Sequence, residues 1–258
     1  MNGAGALTFA RYAYPPNALG YCGPADAPAL LEYAATTTAD PGLAELARQF
    51  EGAWPYLRHI AASAGIADPL DPRVVEAYWI GGPLLRRAGG PGLVREVVDR
   101  FGARAGADLD EILEVVRAGA VPHHNFHVVA VSPWIGLLRT GHVDPAMHVL
   151  DRCRIRVGRV VEVDGDQAIV GVPRLAWDGR TLQRGPSRWE RFTVADNGYA
   201  LAGAEPLQPG DHVAVHWSWI CSRLTADQVV NLRVADHAVL TAVSRTRTAN
   251  AAAELLTT

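Results

Sequence analysis

The chain has 258 residues, 49% of them hydrophobic, and a formal charge of −3 at pH 7, enough for a substantial core in one large or two modest domains. Its 24 cationic side chains are all arginine, which excludes a lysine Schiff base, a pyridoxal-phosphate anchor and a P-loop lysine. No basic run suggests a nucleic-acid partner, and Cys22, Cys153 and Cys221 are too few and too scattered for a disulfide framework. Neither a long apolar run nor a leader-like N-terminus is present, so no membrane partner is expected and the cytoplasm is the expected location.

In chain order, the aromatic segment from Phe9 to Pro24 carries Pro15-Pro16 and two turn clusters, and is expected to be irregular but pinned. Asp40-Pro41 is a cap followed by an N1 proline, and Leu43, Leu46, Phe50, Leu57 and Ile60 recur at helical spacing. One helix over 41–63 is predicted. Asp71-Pro72 repeats the device for a helix over 72–87, followed by helices near 91–101 and near 109–118, the latter begun by an Asp108/Glu111 capping box. Val121 to Val131, rich in β-branched residues and bounded by prolines, reads as one extended segment. Asp144-Pro145 opens a short helix. From Ile155 the hydrophobic period changes to two, giving a hairpin with a turn at Asp164-Gly165, then strands at 189–194 and 212–220. Thr225 and Gln228 cap a last helix to about 246, with a frayed tail after Thr248. The expected fold class is α+β: a mainly helical domain over 1–148 and a small OB-like β-barrel with a C-terminal helix over 149–258.

Several residues are candidates for chemistry. Glu76 has Trp79 and Ile80 as helical neighbours, and a carboxylate beside apolar bulk suits acid/base work. Arg58 and His59 follow Trp54 and Tyr56 by about one turn, a pattern able to hold an acidic group against a stacked ring, and Arg48 offers a second cation. His123, His124 and His127 form the densest imidazole cluster. On a strand His123 and His127 would share one face and His124 the other, so substrate contact is expected there rather than a metal.

Cys153-Arg-Ile-Arg-Val-Gly158, Val163-Asp-Gly165-Asp and Pro209-Gly-Asp-His-Val-Ala-Val-His216 together resemble the HypC/HupF family of hydrogenase maturation chaperones. The resemblance covers under a third of the chain. It implies a small barrel in which Cys153 and His216 hold an iron fragment, with maturation proteins as partners. The family's cysteine stands next to the chain start, its glycine follows a proline where this chain has Val157, and small residues occupy the place of Trp217-Ser218-Trp219.

A second resemblance is carried by Tyr12-Ala-Tyr-Pro-Pro-Asn17, Gly20-Tyr-Cys-Gly-Pro24 and Glu76 within Val-Val-Glu-Ala-Tyr-Trp79, which is similar to bacterial Pictet–Spenglerases of the β-carboline type. It implies a cofactor-free condensing enzyme of natural-product biosynthesis, which joins a tryptophan-like amine to a small aldehyde. Glu76 is then the acid/base, and Trp54, Tyr56 and Trp79 form an indole slot. Separately, the density of aromatic residues leads to the expectation of a homodimer. The condensing enzyme is the leading expectation, and a non-enzymatic iron carrier is the alternative.

Overall fold

The computed structural model describes residues 3–35, 38–105, 108–203 and 205–257, and the fold is α+β, with helices preceding a mixed sheet and a last helix. The helices are α1 (Ala4–Ala18), α2 (Ala27–Ala35), α3 (Pro41–Arg48), α4 (Trp54–Ala64), α5 (Pro72–Trp79), α6 (Pro83–Ala88), α7 (Pro91–Ala105), α8 (Asp108–Arg117), α9 (His124–Phe126) with a π-helical turn over His127–Val131, α10 (Trp134–Arg139) and α11 (Val143–Cys153). The strands β1 (Arg156–Asp164), β2 (Gln167–Trp177), β3 (Leu182–Thr193), β4 (Ala195–Asp196), β5 (Tyr199–Ala200), β6 (His212–His216) and β7 (Trp219–Arg223) follow, then α12 (Ala226–Thr257).

Local chemistry explains most boundaries. Asp40 accepts from the Gly42 and Leu43 amides and Asp71 from that of Arg73, each with a proline at the first helical position, as expected. The predicted helix over 41–63 is instead two helices. Pro55 has no N–H to continue α3, and the amides of Ala53 and Trp54 turn back to the Phe50 carbonyl, dropping Phe50 into the core against Phe9. The helix predicted over 72–87 also breaks, because Gly81 and Gly82 take positive φ of 101° and 133° before Pro83 starts α6. A side chain at Gly81 would collide with the Asn231 carbonyl of α12.

Two segments differ in kind from their expectation. Phe9 to Ala18 is helical despite Pro15 and Pro16, because Phe9, Tyr12 and Tyr14 are buried and packing outweighs the missing hydrogen bonds. Val121 to Val131 is also helical from His124 onward. The His123 ring caps the Asn125 amide at 3.0 Å, and burial of Phe126, Val128 and Val129 overrides their extended preference. The expected reciprocal cap between Thr225 and Gln228 forms, and α12 runs to Thr257, past the expected fraying point. The Asp108 cap falls on a side chain outside the described residues.

The strands pair in the order β1-β2-β3-β7-β6, with β6 returning to β1 and β3 meeting β7 in parallel, so the sheet closes on itself. The expected hairpin turns at Gly165, whose φ is 58°. The expected strand over 212–220 splits into β6 and β7 at Trp217, a non-glycine residue held at φ 53°. Val160, Val170, Val172, Phe192, Val213 and Ile220 fill the interior of the closed sheet, and Gly158 is required there because a Cβ would overlap Val170. A larger core runs from Ala6 to Val243 and is shared by the helices, α12 and one side of the sheet.

A buried polar network joins these layers. Arg154, fully buried, donates to both carboxylate oxygens of Asp236 at 3.0 and 2.9 Å and to the Pro173 carbonyl at 2.8 Å. Asn125 receives the Ile155 amide at 2.7 Å and donates to the Ile155 carbonyl and to Asp236. Asp236→Ala leaves the Arg154 charge buried without its main counter-ion, so stability is expected to fall by about 3–5 kcal/mol. Val234→Ala, at an exposed position of the same helix, is expected to stay within about 0.5 kcal/mol. Urea midpoints measure both.

Candidate metal centre

Three side chains from three elements converge where the helices meet the closed sheet. His124 comes from α9, Cys153 from the end of α11 and His216 from the end of β6, and one ligand atom of each lies within 4.8 Å of the other two. The Asn125–Ile155 hydrogen bonds fasten α9 to the start of β1, which places His124 and Cys153 on either side of the fastening.

The orientation of His216 follows from the proline pair in α1. Pro16 has no N–H for the Tyr12 carbonyl four residues earlier, and that carbonyl instead accepts from His216 Nδ1 at 2.7 Å. A carbonyl can only accept, so the proton sits on Nδ1 and Nε2 keeps its lone pair. Nε2 has no hydrogen-bond partner among the described residues. One ring nitrogen is thus fixed by a carbonyl, as in metal-ligating histidines, while the other makes no direct hydrogen bond and has the Cys153 carbonyl nearby.

His124 Nε2 stands 2.9 Å from the Cys153 carbonyl and 4.0 Å from its sulfur, and Nδ1 faces the Tyr78 hydroxyl at 3.3 Å. The Cys153 carbonyl can only accept, so His124 Nε2 carries the proton and Nδ1 accepts from the Tyr78 hydroxyl. Nε2 becomes a ligand only when it gives up its hydrogen bond to that carbonyl and the proton moves to Nδ1, where the Tyr78 oxygen can accept it. Burial holds the His216 imidazole down to about 4, opposed by the Tyr12 and Cys153 carbonyls, and holds that of His124 well below its ordinary range. Burial also pushes the Cys153 thiol up, with Cys22 adding to the shift and a hydrogen bond from Trp217 opposing it. The set is therefore two neutral imidazoles and a thiol whose proton leaves only when something stabilises the thiolate.

A cavity of ≈100 Å³ opens onto Cys153 and His124 of this group, and His127, Trp79, Trp134 and Cys22 also line it. Cys22 lies on the exposed loop after α1, and Tyr21 beside it stacks on Trp217 with ring centres 4.4 Å apart. The positive φ of Trp217, one residue after His216, is a strained turn next to the site.

The other sequence candidates are distributed differently. Glu76 is half-buried, accepts from Gln228 Nε2 at 3.1 Å and does not line the cavity. Trp79 lines the cavity, and a face of its indole is covered by Tyr12, stacked at 5.4 Å. Tyr56 is buried and stacked on Tyr78, and its hydroxyl meets His127 Nδ1 at 3.4 Å. Trp54 lies under the Arg48 guanidinium, which also pairs with Glu45 at the surface. Arg58 points to solvent, and His59 Nε2 donates to the Ala88 carbonyl at 2.6 Å. The strand faces expected for the three adjacent histidines are replaced by one helical turn. His124 and His127 both line the cavity, whereas His123 is buried as the cap of α9.

Sequence reasoning passed over Tyr12, Tyr78, Asn125 and Asp236. Only the proline pair signalled any of them, since it marks a helix with a carbonyl to spare. The chain belongs to a protein family of unknown function (DUF6390), whose pattern matches residues 1–250. No curated protein and no solved structure matches it.

The buried imidazoles generate an acid-dependent stability. His123, His127 and His216 titrate near 6.5 when unfolded and near 4 in the fold, mainly through burial. The unfolded chain therefore binds more protons between those limits. Stability should be level between about pH 7 and pH 8 and fall as pH drops from 6.5 towards 4, by about 1.4 kcal/mol per pH unit for each imidazole. Urea midpoints from pH 8 to pH 5 measure the slope, and a level profile would show that the rings are hydrated.

Proposed function

We propose that this protein is a non-enzymatic metal-handling protein that holds a thiophilic transition metal, of the iron-fragment type, on Cys153, His216 and His124. The observation that carries the reading is the convergence of one ligand atom each from Cys153, His124 and His216 within 4.8 Å, with His216 held by the Tyr12 carbonyl through Nδ1 and its Nε2 making no direct hydrogen bond among the described residues. Thiolate and imidazole together suit borderline and soft metals. Ligand atoms on one tetrahedral ion stand about 3.5 Å apart for bonds of about 2.0–2.3 Å, so the set must close by about 1 Å.

The strand order adds a second line of support. β3 meets β7 in parallel and β6 returns to β1, a strand order compatible with the OB-like barrel that the sequence resemblance implies. The resemblance to the HypC/HupF chaperones carried Cys153 and His216 to this barrel, and they are two of the three converging side chains. The buried His124 is an addition to that pair, contributed by the helical part of the chain. Cys153 would bind as a thiolate, so uptake would release a proton, and the cavity lined by Cys153 and His124 would offer room for a fragment's small ligands.

The condensing-enzyme expectation has less support. Its acid/base candidate, Glu76, is engaged by Gln228 outside the cavity, and of its proposed indole slot Trp79 is stacked on Tyr12, Tyr56 on Tyr78, and Trp54 lies under Arg48.

The test is cobalt(II) titration of the full chain under anaerobic conditions. One equivalent is expected to produce a thiolate-to-cobalt charge-transfer band that disappears in Cys153→Ala, weakens in His216→Ala and His124→Ala, and persists in Glu76→Gln. Infrared spectra of protein purified without oxygen from a hydrogenase-producing host are expected to show bound carbonyl and cyanide ligands. Cobalt binding that is unaffected by Cys153→Ala would overturn the site, and condensation of tryptophan with an aldehyde that is lost in Glu76→Gln would restore the enzyme reading.

A further inference from the structure

A second concavity of ≈420 Å³ lies between α12 and the outer face of the closed sheet, and it shares no lining residue with the metal-side cavity. Strand register shows how it is built. Arg159 of β1 pairs with His212 of β6 on one side and with Gly171 of β2 on the other, and Gly171 in turn pairs with Trp189 of β3. These four residues form one row across the outer face, because their neighbours Val160, Val170, Val172 and Val213 point inward. Gly171, Pro173 and Gly185 present short side chains or none, which leaves a floor with raised walls. Arg159, Arg184 of β3 and Arg233 of α12 stand around it, with Ser187 and His212, and among the described residues no carboxylate lines the groove.

The nearby acids are engaged elsewhere. Asp236 is bound by Arg154, Glu190 by Arg156 and Arg174, and Asp211 by Arg223. Among the described residues, Arg159, Arg184 and Arg233 have no ion-pair partner. Burial lowers the Arg184 guanidinium from its ordinary value, and Arg154 and Arg233 lower it further against the attraction of Asp236. Crowding cations this way is unfavourable unless an anion joins them. Beside them Trp189 is 77% exposed, with its indole edge flanking Gly171 on the floor.

We propose that this groove binds a nucleotide-class ligand, with a diphosphate held by Arg159, Arg184 and Arg233 and a planar base laid on Trp189. Three guanidinium groups match the charge of a diphosphate and supply the forked donors that its oxygens accept. The volume fits a small molecule of that size. A large exposed indole next to unneutralised arginines supplies the stacking surface that an inorganic anion would not need.

Calorimetric titration of the full-length protein at low salt, with inorganic pyrophosphate, ADP and adenosine as separate probes, tests the assignment. Pyrophosphate and ADP are expected to bind at one site, ADP more tightly, and both more weakly as salt rises. Arg184→Ala and Arg159→Ala should each weaken both ligands by about ten-fold or more, the loss of a charge-assisted contact. Trp189→Ala should remove the advantage of ADP over pyrophosphate and leave pyrophosphate binding intact. The three positions are exposed, so the variants are expected to fold, and circular dichroism checks this. Absence of saturable pyrophosphate binding, or binding unchanged in the Arg159→Ala/Arg184→Ala double variant, overturns the site. Equal affinity for ADP and pyrophosphate overturns the nucleotide class.

Discussion

The contact between Arg154 and Asp236 ties together parts of the chain that local preferences alone would leave apart. Both groups are withdrawn from water, and each is tolerable in the interior only because the other is there with correct geometry. Their partners extend the constraint. Asp151 of α11 faces Arg154 and accepts from the Leu175 amide of β2, and Asn125 of α9 bonds Asp236 and both backbone groups of Ile155. Four helical and strand segments are therefore fixed by one network. The metal-side residues are neighbours of its members: Cys153 precedes Arg154 in sequence, and His124 precedes Asn125. Once the network forms, the thiol and the imidazole have little freedom to separate.

The all-arginine composition acquires a structural meaning here. Arg154 reaches two oxygens of one carboxylate, another carboxylate and a backbone carbonyl, which needs the planar fork of a guanidinium. Arg156, equally buried, lies over the Phe192 ring while pairing with Glu190. An ammonium group could not serve so many directions at once, and its dehydration would be harder to offset. At the surface the same residue type has another use, since Arg159, Arg184 and Arg233 face a groove with no carboxylate in its lining among the described residues.

The periodicity of the strands was legible because one face of each is packed. Val160, Val170, Val172 and Val213 alternate with outward residues, so a period of two appears directly in the sequence. The Asp-Pro helix starts were legible because their chemistry is local. The helical state of Phe9 to Ala18 and of His124 to Val131 was hidden, because it depends on burial against segments far away in the chain, while local signals such as Pro15-Pro16 and a β-branched run point elsewhere. The site divides in the same way. Cys153 and His216 could be picked out by motif, whereas the convergence of His124 with them depends on Asn125 bonding Ile155, thirty residues later.

The proline pair shows how a local defect becomes an orienting device. In an unbroken helix the Tyr12 carbonyl would be saturated by the amide of residue 16, and His216 would have no acceptor on that side. Pro16 removes the competitor, so the carbonyl is left buried and must find another donor. His216 Nδ1 supplies it, and the ring can then turn only its unprotonated nitrogen towards Cys153 and His124. Tyr12 is itself stacked on Trp79, and Trp79 packs on His124 with ring centres 4.7 Å apart. Helix α1 therefore does more than cover the closed sheet: it selects the tautomer of one imidazole and limits the space available to another. A substitution that restored an amide at position 16 would act on the site through the helix backbone, without touching any of the three converging side chains.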